Sequence, residues 1–155
     1  MIRLCIAGAT GWTGSALAAA VQESASFELS GAVARTAAGL DLGSALGLEP
    51  WGVIITATVA EALRANADVL IDYSHPAAVK EHTLTALQAG VSVVIGTSGF
   101  TLAFETVFGL PDERLIIRHD AGTSAKPYVA GTLLAVERAL TLKGLIRGLD
   151  TLLFQ

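Results

Sequence analysis

The sequence predicts an α/β protein, a doubly wound and mostly parallel sheet with helices on both faces. Three observations predict it. Short apolar runs alternate with helical stretches of 10 to 15 residues from the first residue onward, which is the signature of β-α-β units with right-handed crossovers. The first run, Ile2 to Ala7, is a short continuous apolar one rather than an alternating one, as in strands covered on both faces. The composition agrees: 52% of the 155 residues are hydrophobic and only 15% are charged.

Element by element, Ile2 to Ala7 reads as the first strand and Trp12 to Glu23 as an Ala-rich helix. Phe27 to Ala34 is a second strand. Residues 36 to 50 hold four Gly or Pro and little periodicity, so they read as loop. Gly52 to Thr56 is a third strand and Val59 to Arg64 a short helix. Val69 to Tyr73 is a fourth strand, followed by a helix from Pro76 to Ala89. Pro at its start and Gly90 just past its end mark its limits. Val91 to Ile95 is a fifth strand. Beyond Phe100 the pattern predicts a helical turn at Ala103 to Phe108, a strand at Arg114 to Arg118, an apolar helix at Lys126 to Leu140 and a short closing helix from Leu145 to Phe154. The strand at 114–118 is expected beside the fifth strand, with 126–140 as its crossover helix, making residues 1–155 a single domain.

Composition also narrows the function. Positive mean hydropathy raises the prospect of a membrane protein. However, no stretch of about 18 residues escapes Gly, polar or charged interruption. The net charge of −4 is mild and the ten Lys and Arg are scattered, which points away from nucleic acid and acidic membranes. Met1 leads straight into the first strand with no secretory signal pattern. The single cysteine, Cys5, cannot form an internal disulfide or a Cys-built metal site, and a reducing, cytoplasmic setting is expected. Inside a strand pattern it reads as a small core residue.

The strongest local signal is Gly8-Ala9-Thr10-Gly11-Trp12-Thr13-Gly14, between the first strand and the first helix. A phosphate reaches backbone only where side chains are absent, and the helix start offers N–H groups and partial positive charge to a pyrophosphate. Gly8 and Gly11 suit the tight turn, and Gly14 suits close packing of helix on strand. This predicts a Rossmann-type dinucleotide-binding unit. At the end of the second strand an acid would hold the ribose 2′-hydroxyl of NADH, whereas an Arg would accept the 2′-phosphate of NADPH. The sequence has Arg35, followed by the hydroxyl of Thr36, so NADPH is expected and NADH is the second choice. The plain alternative is Arg35 as a solvated loop residue.

Two more loops leave C-terminal strand ends, where ligands bind in such sheets. One is Asp72-Tyr73-Ser74-His75-Pro76 and the other Gly96-Thr97-Ser98-Gly99-Phe100. Ser74 or His75 as a helix cap and an ordinary turn at 96–100 are the structural alternatives.

Taken together, Gly8 to Gly14, Ala34-Arg35, the run Asp68 to Pro76 and the run Val94 to Phe100 resemble the 4-hydroxy-tetrahydrodipicolinate reductase family in order and spacing over residues 1 to about 100. The family reduces a cyclic precursor of lysine and diaminopimelate with NADH or NADPH. The resemblance implies that Gly8, Thr10, Gly11, Trp12, Thr13, Gly14, Arg35 and Thr36 contact the cofactor. It also implies that Tyr73, Ser74 and His75 flank it, and that Gly96, Thr97 and Ser98 line the nicotinamide side. The family often has Arg-Met where this chain has Trp12-Thr13. Residues 102–155 resemble the family's final part, returning to the nucleotide domain. The intervening substrate-domain motif, a His-His-Arg-His-Lys run with an Ala-Pro-Ser-Gly-Thr loop, has no counterpart, so no catalytic residue and no metal ligand is assigned.

Three readings follow. The first is a nucleotide-binding domain without most of the substrate and catalytic machinery. The second is an active NADPH-dependent reductase completed by another subunit. The third is a non-catalytic Rossmann interaction protein. Semialdehyde dehydrogenases of the phosphate-requiring kind need a cysteine well beyond the first strand, and Cys5 is alone. Short-chain dehydrogenases need Tyr-x-x-x-Lys, and Tyr128 is followed four positions later by Thr132. His119-Asp120 with Ser124 makes no triad, because neighbours on a strand point to opposite faces. The apolar stretch Lys126 to Phe154 leaves a homo-oligomer open.

Overall fold

A computed structural model describes residues 1–96, 103–108, 115–120, 124–146 and 148–149, with 103–108 and 115–120 described as backbone. The first five strands are β1 (Ile2–Ala7), β2 (Phe27–Val33), β3 (Ile55–Thr56), β4 (Val69–Asp72) and β5 (Ser92–Ile95). They form a parallel sheet in the order β3-β2-β1-β4-β5. The order reverses direction between β1 and β4, and in such sheets ligands bind at the carboxyl edge of the point of reversal.

Alternation within the strands sorts residues to the two faces. Leu4, Ile6, Val69 and Ile71 pack under α1 (Trp12–Gln22) and α5 (Lys126–Ala139), against Leu17, Ala18, Val21 and Val136. Cys5, Ala7 and Leu70 face the other way, onto Val59 and Ala62 of α3 (Val59–Ala62) and Ala86 of α4 (Pro76–Gln88). Helix α1 buries Gly14, Leu17, Ala18 and Val21, the i, i+3, i+4, i+7 stripe of one helical face. Each fully buried Leu or Ile contributes about 1.5–3 kcal/mol of transfer free energy. The sheet is therefore held from both sides by aliphatic burial.

Local polar contacts fix the ends. Thr58 caps α3 by accepting from the Glu61 N–H, and Glu61 supplies the acidic first turn. Arg3 meets Asp68 through Nε–H to Oδ2 (3.1 Å) and a terminal N–H to Oδ1 (2.7 Å), joining β1 to the entry of β4. A 3-10 turn at Leu63–Ala65 follows α3.

The structure corrects four expectations. Residues 36–50 are not all loop: α2 (Leu42–Ala45) forms there, capped by Asp41, whose side chain accepts from the N–H groups of Ser44, Trp51 and Gly52. Ala103–Phe108 is strand β6 rather than a helical turn. Leu115–Asp120 is strand β7, and it pairs antiparallel with β6 in a separate two-stranded sheet instead of extending the main sheet. A hairpin partner a few residues away is reached with less loss of chain entropy than a parallel crossover demands. The described part of the tail, 145–146 and 148–149, is not helical, and the remainder of the expected closing helix lies outside the described residues.

Candidate functional site

The glycine turn sits at the carboxyl end of β1. Gly8 and Ala9 both donate to the Val33 carbonyl (2.9 and 3.1 Å), which tethers the turn to β2, and Gly11 donates back to the Gly8 carbonyl at 2.9 Å. Gly8 has φ of +82°, a left-handed value that other residues adopt at a cost. A Cβ there would also lie 2.7 Å from the Tyr73 carbonyl oxygen. A Cβ at Gly14 would overlap the Gly8 carbonyl, so only glycine lets α1 start this close to the strand. Helix geometry leaves the first-turn amides of Trp12, Thr13 and Gly14 without intrahelical acceptors. Gly11 provides no side-chain cap, and the first turn carries no acid. The cradle therefore has open backbone, donor groups and positive potential, the properties a pyrophosphate requires.

Thr10 and Thr13 are partly buried, and Trp12 is half exposed. The Trp12 indole stands edge-on to Tyr128 of α5, ring centroids 5.8 Å apart at 67°. Arg35 and Thr36 follow β2 at the same edge of the sheet, both exposed.

The loop after β4 lies directly against the turn. Tyr73 N–H donates to the Ala7 carbonyl at 2.9 Å. Its phenol is 2.5 Å from the Thr132 hydroxyl, and that hydroxyl is 2.7 Å from the Tyr128 carbonyl. Thr132 has one proton and gives it to the carbonyl, so Tyr73 is the donor to Thr132. Burial above all pushes the Tyr73 phenol above its usual range. His75 caps α4, its Nδ1 accepting from the Ala77 N–H at 3.2 Å, which is the structural role allowed for it by sequence. Gly96 lies beneath the Tyr73 ring, where a Cβ would strike ring atoms. Thr97 and Ser98 lie outside the described residues.

One cluster escaped sequence reasoning. Asp72, at the end of β4, is fully buried. Its Oδ1 accepts from the Ser74 N–H at 2.8 Å, and its Oδ2 lies 2.9 Å from His82 Nδ1 on α4. Ser74 Oγ is 3.3 Å from the same Nδ1. A hydrolytic triad needs its hydroxyl and its carboxylate on opposite ring nitrogens, so this trio is no nucleophile relay. The available signal was the inward spacing of Val79, His82, Thr83 and Ala86 along α4.

A cavity of about 830 Å³ runs beside β5 between α4 and α5. It takes Tyr73 and Gly96 from the expected site, is lined mainly by apolar groups such as Leu87, Val94 and Leu142, and receives no residue of the glycine turn. The open backbone amides at the start of α1 lie outside this cavity.

Residues 2–106 match the family described as dihydrodipicolinate reductase, N-terminus. The chain belongs to this family. Its relatives include the 4-hydroxy-tetrahydrodipicolinate reductases of Acinetobacter baumannii (strain AYE), 43% identical over 102 residues, and of Anaeromyxobacter dehalogenans (strain 2CP-1 / ATCC BAA-258), 41% identical over 105 residues. These matches cover 64% and 65% of this chain but only 37% and 38% of those proteins. The chain thus spans well under half the length of the curated relatives it matches. Among solved structures, the dipicolinate-bound dihydrodipicolinate reductase from Paenisporosarcina sp. TG-14 superposes with a TM-score of 0.73 at 17% identity, over 97% of this chain and 99% of that one. The NADP-bound aspartate semialdehyde dehydrogenase of Candida albicans shares the fold over 63% of this chain and 30% of that one, with a TM-score of 0.54 at 17% identity. At such identities these two likenesses speak for fold alone. They agree with the Rossmann-type reading of the dihydrodipicolinate reductase N-terminal family.

Proposed function

We propose that this chain is the dinucleotide-binding domain of a dihydrodipicolinate-reductase-type oxidoreductase, that it takes NADPH in preference to NADH, and that most of the substrate and catalytic machinery lies outside it. The observation that carries the reading is the Gly8–Gly14 cradle, open to a pyrophosphate at the uncapped start of α1 and backed by the Tyr73–His75 loop. When bound, the cofactor supplies hydride; the chain's own residues hold and orient it. The backbone of Gly8 to Gly14 would receive the pyrophosphate. Arg35 and Thr36 would take the 2′-phosphate of NADPH, a bidentate pairing that NADH lacks. Tyr73, Ser74 and His75 would flank the cofactor, and Gly96, Thr97 and Ser98 would line the nicotinamide side.

A hydride transfer also needs the acceptor carbon held against the nicotinamide and a proton donor beside it. Neither histidine whose side chain is described is placed for that role: His75 caps a helix and His82 is engaged with Asp72. The substrate, by the family's chemistry the cyclic precursor of lysine and diaminopimelate, would therefore meet groups this chain does not supply. A reducing, cytoplasmic setting accords with the lone buried thiol, Cys5. Among the described residues no helix is long and apolar enough to cross a membrane.

Calorimetric titration with NADPH and NADH tests the reading. Wild-type chain should bind NADPH more tightly, and Arg35→Ala should weaken NADPH by about 10- to 100-fold, the worth of one charge-assisted contact, while leaving NADH unchanged. Absence of binding by either nucleotide would overturn it.

A further inference from the structure

We propose that His82, acting through the buried Asp72 carboxylate, is a positioning residue for the Tyr73–His75 loop and hence for dinucleotide binding, an inference that rests on the dinucleotide reading above. Asp72 closes β4 on the α4 side of the sheet, where its carboxylate is fully buried. A carboxylate there is tolerated only if its oxygens are satisfied. Oδ1 is bound by the Ser74 N–H inside the loop, and Oδ2 by His82 from the helix. The two contacts make one brace: helix α4 holds the carboxylate, and the carboxylate holds the loop backbone. That backbone is the wall of the cradle, because the missing Cβ of Gly8 faces the Tyr73 carbonyl and lies 3.1 Å from the Ser74 nitrogen. A shift of the loop by a fraction of an ångström would close on Gly8 or draw away from it.

The brace requires a particular tautomer. A carboxylate only accepts, so His82 must carry its proton on Nδ1. His75 needs the opposite arrangement, since its Nδ1 accepts from the Ala77 N–H and its proton sits on Nε2. Two histidines seven positions apart thus use Nδ1 in opposite senses for one loop, His82 as donor and His75 as acceptor.

Nitrogen NMR of the imidazoles in the full chain reads this directly: a proton on His82 Nδ1 is expected, and an Nδ1 that carries none would overturn the inference. His82→Leu and His82→Asn follow, the Asn amide nitrogen being able to replace Nδ1 as donor. In nucleotide-free protein, amide exchange at residues 73–75 should accelerate about tenfold or more in the Leu variant and stay near wild type in the Asn variant. NADPH affinity should fall by a similar factor in the first and recover in the second. Unchanged loop exchange in His82→Leu, or a loosened loop with unchanged NADPH affinity, overturns the proposal. Failure of the wild-type chain to bind any nucleotide would instead remove the functional reading, and the exchange and tautomer data would still decide whether His82 holds the loop.

Discussion

Tyr73 and Thr132 share a hydrogen bond between hydroxyls, 2.5 Å long, that ties the loop after β4 to helix α5. Helix α5 lies beyond residues 2–106, the segment matched by the family. A part of the chain outside that match therefore fixes a ring at the expected cofactor site.

Tyr73→Phe should cost about 1 kcal/mol, one net hydrogen bond, as read by urea denaturation. Thr132 keeps its Tyr128 acceptor, so no buried donor is orphaned. In the wild type, the folded chain holds the Tyr73 proton more tightly than the unfolded chain does. Stability should consequently fall as pH rises past the ordinary tyrosine value of 10.0 and stop falling once Tyr73 ionises in the folded state. Absorbance titration in a Tyr128→Phe background isolates the group, and ionisation at the ordinary value would contradict the burial argument.

Gly14→Ala should destabilise by about 3 kcal/mol and abolish nucleotide binding, because the added methyl meets backbone rather than a movable side chain. Thermal melts and NADPH titration check both effects. A variant as stable as wild type would mean that α1 starts farther from β1 than described.

The thiol of Cys5 should stay silent. Burial, aided by the nearby Asp72, pushes it up to about 12. Labelling with a disulfide reagent at pH 8 should proceed only at the rate of unfolding, and should become immediate in denaturant. Rapid labelling of the native chain would show β1 to be accessible.

Asp41 should make the 42–52 segment acid-sensitive. Its carboxyl is held below the ordinary carboxylate range, chiefly by the Trp51 N–H and also by those of Ser44, Gly52 and Gly43. The folded pKa is depressed, so the stabilisation is present above the ordinary value of 3.8 and is lost as pH falls through the folded value. Trp51 fluorescence in a Trp12→Phe background should report the loss, and Asp41→Asn should remove the pH response.

The N-terminal fold was legible because its strands are covered on both faces and so read as unbroken apolar runs, as in Leu4-Cys5-Ile6-Ala7 and Val69-Leu70-Ile71. The glycine turn was legible because only a close backbone approach explains glycine at 8, 11 and 14. Strand β6 was misread for a definable reason: Phe104, Val107 and Phe108 also fit the i, i+3, i+4 spacing of a helix, and its antiparallel partner, not its own period, decides the outcome. Helix α2 was missed because four residues are too few to show periodicity, although Asp41 before it was a cap signal. The third strand read as Gly52 to Thr56 pairs in the sheet only over Ile55–Thr56, since Ile54 turns to bridge Asp41. Asp72 and His82 gave little warning, because a strand end and a helix interior meet only through tertiary packing.

The Ala7 carbonyl accepts from Tyr73, and Gly8 abuts the Tyr73 carbonyl. The two walls of the cradle are thus made by strands far apart in the chain, and they meet only when β1 and β4 are in register. During refolding, the isolated first β-α unit offers a ligand the amides of α1 but only one of the two walls. Ligand capture would then mark the moment the central strands lock together, and would serve as a clock for the completion of the topology.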